Sequence, residues 1–176
     1  MQVLPIAFNQ FQTTSVVQKI PPRQQCDLIE SFCKTFKLPT EKRNHSTWDE
    51  NLVVKITSYK ENALQSVLDM LSKTDDEKDA TAGLFLLNRI IDAGVKNVGN
   101  AYPVVSKFNY NPSHNVQVML AGIYRKTLVP DAFGPLITMF IKNAKHPVQI
   151  PFDPNEEVGG AILEYLRSAS ATNIYN

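Results

Sequence analysis

The chain has 176 residues, 43% of them hydrophobic and 20% charged, with a formal net charge of +1. That length fits about one domain, which buries roughly 70% of its unfolded surface and needs no disulfide or metal staple. The near-neutral balance excludes a global field drawing the protein to nucleic acid or an anionic membrane, and leaves only local basic patches to consider.

Residues 1–20 differ from the rest. Segments 3–8 and 13–20 are rich in β-branched and aromatic types with polar residues between them, which suits an extended or small β-rich arm. No basic stretch leads into an apolar core, so no signal peptide is expected. No run approaches the ~20 apolar residues of a membrane span. The expectation is a soluble, intracellular protein. Pro21 and Pro22 end the arm, because proline gives no ladder donor and restricts its predecessor.

A helical body follows over residues 21–167. Residues 27–36 read as a helix with Leu28, Ile29, Phe32, Cys33 and Phe36 on one stripe, stopped by Pro39. Cys26 and Cys33 lie about 10 Å apart along such a helix. A disulfide needs Cα atoms within about 7 Å, so the spacing predicts buried free thiols and a reducing compartment. Residues 40–50 are a polar loop. Residues 52–56 (LVVKI) fit either a strand or the lead-in to a helix. Ser58 and Glu61 have capping-box spacing, ahead of Ala63, Leu64, Val67, Leu68 and Leu71. Thr74 and Glu77 repeat that spacing, with Asp75 and Asp76 where the helix dipole favours carboxylates. Ala80, Leu84, Leu87 and Ile91 make the stripe of this helix, and Gly94 or Gly99 can close it in the left-handed region. The tight connection predicts that it packs antiparallel to its predecessor.

After a break at Tyr102-Pro103 and a loop over residues 109–114, Val116, Met119, Leu120 and Ile123 mark another helix. Pro130-Asp131 opens the next, with Phe133, Leu136, Ile137, Phe140 and Ile141 inward. Lys142, Lys145 and His146 complement its carboxyl end, and Pro147 stops it. Asp153 caps a last helix with Pro154 first and Glu156 third. Its inward residues are Val158, Ala161, Ile162, Tyr165 and Leu166. Residues 168–176 form a polar tail, frayed or a tether for a partner. The fold class is therefore mainly α: about six helices in a bundle or short superhelix behind an amino-terminal arm.

Chemistry is sparse. His45, His114 and His146 have no His or Cys at metal spacing, and there is no HExxH, CxxC or Gly-rich phosphate loop. Asp75, Asp76, Glu77 and Asp79 lack the order of a calcium loop and suit a helix start. No acid–base or nucleophile constellation is visible, so the reading is a non-enzyme with no cofactor, no metal and no evident small-molecule substrate. Lys34, Lys37, Lys42 and Arg43 cluster ahead of Trp48, and Arg125, Lys126, Lys142 and Lys145 lie near carboxyl ends of helices. Gathered by folding, they would neutralise phosphates, with Trp48 as a stacking surface for single-stranded nucleic acid. Ile6, Phe8 and Phe11 in the arm, with Ile174 and Tyr175 at the other end, sit on no stripe and suit docking on a second subunit.

The run IIDAGVKNVG over residues 90–99, followed by Tyr102 and Phe108, resembles a stretch of VHS domains and of domains that bind the RNA polymerase II tail. The resemblance implies a right-handed helical superhelix that docks short peptides in a groove between helices. Lys96 and Asn97 match the motif; the match by itself does not make them ligand contacts. It covers only part of the chain. The preceding hairpin is about a turn longer than in that family, residues 1–50 do not fit, and no tryptophan follows downstream.

The leading expectation is a non-catalytic assembly or interaction protein that self-associates or docks protein partners through helical surfaces and terminal arms. A small viral coat or matrix protein has this profile. RNA or single-stranded nucleic-acid binding through the basic residues is the first alternative, and a peptide-binding adaptor the second.

Overall fold

A computed structural model describes residues 21–96, 98–146 and 153–174, with side chains as far as Ser170. The arm expected over residues 1–20, with Ile6, Phe8 and Phe11, lies outside the described residues, as do Asn97, residues 147–152, Tyr175 and the Ile174 side chain.

The described chain is mainly helical. Its α-helices are α1 (Pro22–Thr35), α2 (Glu50–Thr57), α3 (Glu61–Lys73), α4 (Glu77–Asp92), α5 (Tyr102–Val105), α6 (His114–Thr127), α7 (Phe133–Lys145) and α8 (Pro154–Ile174). Among the described residues there is no strand, only isolated bridges of Lys37 with Thr47 and of Thr40 with Arg43. The two helices beyond the expected six are short. Asp49 settles residues 52–56 as α2, because its carboxylate accepts from Asn51 N and Leu52 N. The break at Tyr102-Pro103 is itself a turn of helix, flanked by 3₁₀ turns Val98–Ala101 and Ser106–Phe108.

Both expected capping boxes are absent. Ser58 closes α2 instead of opening α3, and its hydroxyl donates to Lys55 O at 2.6 Å. The residue before α3 is Lys60, at φ 48° and ψ −117°, with no side-chain cap. Thr74 closes α3, and Asp76 caps α4 by accepting from Asp79 N at 2.9 Å. Aspartate wins because its carboxylate reaches the exposed amides from one residue before the helix and also meets the dipole. Two endings came as expected. Gly94, at φ 82°, closes α4 with Gly94 N bonded to Ile91 O and Val95 N to Ile90 O, the paired pattern of a left-handed cap. Asp153 accepts from Asn155 N at the start of α8.

The core is built around α4 and α6. From Ala80 to Leu87 every residue of α4 is buried, because α1, α2 and α3 cover one side and α6 the other. Gly83 lets α3 approach: a Cβ there would lie 2.5 Å from Met70 Cε and 2.7 Å from Leu71 Cδ2. On the far side α8 packs on α6 and α7. Polar groups inside are largely paired. Asn88 Nδ2 donates to Leu84 O and Met119 O between α4 and α6. Asn143 Nδ2 donates to Gln117 Oε1, whose amide nitrogen donates to Asn111 O. The Tyr124 hydroxyl donates to Asn109 Oδ1.

Three residues expected inside are exposed: Phe140 at 38%, Ile141 at 48% and Leu166 at 51%. Their helices are covered along one seam only, and the apolar stripe is wider than that seam. Cys33 is buried as expected but Cys26 is exposed, although the two share one face of α1 and both line an open pocket against α3. Burial pushes the Cys33 thiol up to about 11. The backbone of α8 runs on through Ile174, past the residue where a polar tail was expected to begin.

Candidate functional site

Two surfaces stand out: a groove under Trp48 and an apolar face on α7 and α8. The groove forms where the loop after α1 crosses the first turns of α4, α6 and α8. It encloses about 900 Å³. Backbone bonds between Lys37 and Thr47 and between Thr40 and Arg43 shape the loop. The Arg43 guanidinium pins it from inside, donating to Leu38 O and Thr47 Oγ1, both at 3.1 Å.

Trp48, Phe85, Val118 and Met119 form the apolar part of the lining. Trp48 is 38% exposed, and its ring centroid lies 4.5 Å from that of Phe85. Phe85 also touches Phe32 of α1 and Phe36 just after it, with centroids 6.0 and 5.9 Å away, which ties the groove to the core. The Trp48 indole N–H donates to Glu50 at 2.7 Å, and Arg89 bonds the other oxygen of that carboxylate at 2.7 Å. The indole bond first, and Arg89 with it, holds the Glu50 carboxyl below its ordinary range.

The remaining lining is strongly acidic. Glu77 accepts from Ser113 Oγ at 2.7 Å and Asn115 Nδ2 at 3.1 Å, which fixes it between α4 and α6. Asp153, Glu156 and Glu157 come from the start of α8, and Glu41 from the loop. Glu157 pairs with Arg125 at 3.3 Å. Glu41 and Glu156 enter no ion pair among the described residues. His45 and His114 also line the groove. Among the described residues no three His, Cys, Asp or Glu side chains are grouped to hold a metal ion.

The structure divides the expected basic residues. Arg43 is tied into the loop, Arg125 pairs with Glu157, and Lys126 pairs with Asp92 at 2.7 Å. Lys34, Lys37, Lys42, Lys142 and Lys145 are exposed, with no ion pair among the described residues. Asn143 holds the carboxyl end of α7 against Gln117, whereas Arg125 and Lys126 sit about 12 Å farther along α6. Trp48 rests on Phe85 and bonds Glu50 rather than standing open beside the lysines.

The second surface arises from the way α7 and α8 run past each other. Phe140 covers Gly159, with its ring 3.3 Å from where a Cβ would stand, and Asn155 Nδ2 donates to Phe140 O. At the other end Phe133 meets Tyr165 at 5.5 Å between centroids. Leu163 and Leu166 follow Gly159 by one and two turns, so they continue the same face. Phe140, Leu163 and Leu166 are exposed, as is Ile141 one position farther along α7. Leu163 was not expected here; its spacing from Gly159 and Leu166 was the available signal. Phe85 was likewise missed, because it lies off the stripe of Ala80, Leu84, Leu87 and Ile91.

The IIDAG portion of the VHS-like run is the left-handed ending of α4, a general device for stopping a helix. No described helix is long and apolar enough to cross a membrane. No protein-family model, curated protein or solved structure matches this chain.

Proposed function

We propose that this is a non-catalytic assembly or interaction protein that self-associates through the α7–α8 face, with its terminal segments adding contact area. The observation carrying this reading is the run of Phe140, Ile141, Leu163 and Leu166, each between 38% and 53% exposed on adjoining helices. Contiguous exposed apolar side chains mark contact surfaces, whereas scattered ones do not. A stable interface buries about 800 Å² per partner, more than four half-exposed side chains supply. The arm with Ile6, Phe8 and Phe11, together with Ile174 and Tyr175, provides further apolar groups.

Light scattering over a dilution series tests the reading. The expected result is a mass that rises with concentration, and falls to that of the monomer when Leu163→Asp and Leu166→Asp are combined. These side chains are exposed, so far-UV circular dichroism should be unchanged. A monomer at every concentration refutes the proposal.

A second reading, nucleic-acid binding, draws on Lys34, Lys37, Lys42, Lys142 and Lys145, exposed and without acidic partners among the described residues. It requires affinity for single-stranded RNA that falls steeply with salt and is lost in a variant carrying Lys34→Glu, Lys37→Glu and Lys42→Glu. Binding indifferent to salt counts against it.

A further inference from the structure

No described residue fills the groove beneath Trp48, and its lining specifies a kind of occupant. Trp48, Phe85, Val118 and Met119 offer apolar area, while the carboxylates around them have Arg43 as their only arginine or lysine neighbour in the lining. That arginine is already bonded to Leu38 O and Thr47. A matching segment brings apolar side chains in alternation and adds no negative charge.

The chain contains such a segment. Residues 1–26 hold Lys19 and Arg23 and no acidic residue; the first carboxylate in the sequence is Asp27. Leu4, Ile6 and Phe8 recur at every second position, which places them on one face of an extended chain, and Phe11 follows. The reach is sufficient. Residues 12–20 span up to about 30 Å when extended. The groove lies beyond the carboxyl end of α1, a helix covering about 21 Å from Pro22.

We propose that residues 4–11 of this chain seat in the groove, with Leu4, Ile6, Phe8 and Phe11 supplying the apolar contacts to Trp48, Phe85 and Met119. Where the segment comes from a second copy, this rests on the assembly reading and gives it a specific joint. Residues 147–152 are the rival occupant: they include Ile150 and Phe152 and lead into Asp153 at the rim. Residues 4–11 and 147–152 are both uncharged; they differ in freedom of approach, since residues 147–152 are tethered at both ends, to α7 and α8.

Trp48 is the sole tryptophan, so in the full chain its emission and its quenching by acrylamide report on the groove. Phe8→Ser combined with Phe11→Ser should shift the emission to the red and increase quenching, with circular dichroism unchanged. Each phenylalanine lost weakens seating about tenfold or more. Phe152→Ser should leave Trp48 unaltered. An unchanged Trp48 in the Phe8/Phe11 variant, or a red shift produced by Phe152→Ser instead, overturns the proposal. Scattering mass measured alongside separates it from the assembly reading. Burial of Trp48 that rises with mass supports both. Burial that persists in the diluted monomer supports the seat and removes the arm from the assembly.

Discussion

Phe85→Ala tests whether the wall between core and groove is organised as described. Phe85 is 8% exposed and meets three other rings, those of Phe32, Phe36 and Trp48, with the Arg89 guanidinium 5.9 Å from its centroid. Removing a buried phenylalanine costs about 3–5 kcal/mol, from lost transfer energy and the cavity left behind. Ring pairs contribute about 0.5–1.5 kcal/mol each beyond area, which places this site toward the upper end. Phe140→Ala is the matched control. Phe140 is 38% exposed and open on one side, so its removal should cost only about 1–2 kcal/mol. Urea unfolding followed by circular dichroism and by Trp48 fluorescence measures both, compared at unchanged m-value. In Phe85→Ala the Trp48 emission should also shift, since its supporting ring is gone. Equal losses at the two sites, or a larger one at Phe140, would refute this account of which phenylalanine belongs to the core.

Glycine substitutions separate close approach from helix propensity. Gly83→Ala should lower stability by about 1–2 kcal/mol, as overpacking against Met70 and Leu71 exceeds the gain of about 1 kcal/mol in propensity. Gly134→Ala, where a Cβ meets nothing within 4 Å, should raise it by about 0.5–1 kcal/mol. Both are read from urea midpoints. Lys60→Gly should stabilise by about 1 kcal/mol, because φ 48° with ψ −117° is a conformation that strains a side-chain-bearing residue. A loss there would show that the lysine makes a compensating contact. Stability should fall as pH rises from about 9 toward about 11: the unfolded chain ionises Cys33 near its ordinary value of 9.0 while burial keeps the folded thiol protonated to about 11. Unfolding then releases a proton, so higher pH favours it. Tyr165, pushed up to about 12 by burial, acts in the same direction at higher pH. Melting curves of Cys33→Ala should lack the earliest part of this decline. Maleimide at pH 8 should label Cys26 before Cys33.

By itself the sequence determined the class of fold and most helix interiors. Ile29, Phe32, Val67, Leu84, Leu87, Leu120, Ile123 and Leu136 were readable because apolar side chains repeating at helical spacing can bury only one way. Gly94 and Asp153 were readable too, since left-handed backbone and an unpaired helix start each favour few residue types. Tertiary structure decided the rest. Asp76 displaced Thr74, and Ser58 ended one helix instead of opening another, because several capping residues compete within a few positions and neighbouring packing selects the boundary. Phe85 is core and Phe140 is not: covering helices lie on both sides of α4 but on one side of α7, and no property of either helix alone records that. The groove under Trp48 brings together residues from positions 39 to 157. Its acidic lining became visible only when the starts of three helices met one loop, because pairing over such separations depends on the folded path rather than on local spacing.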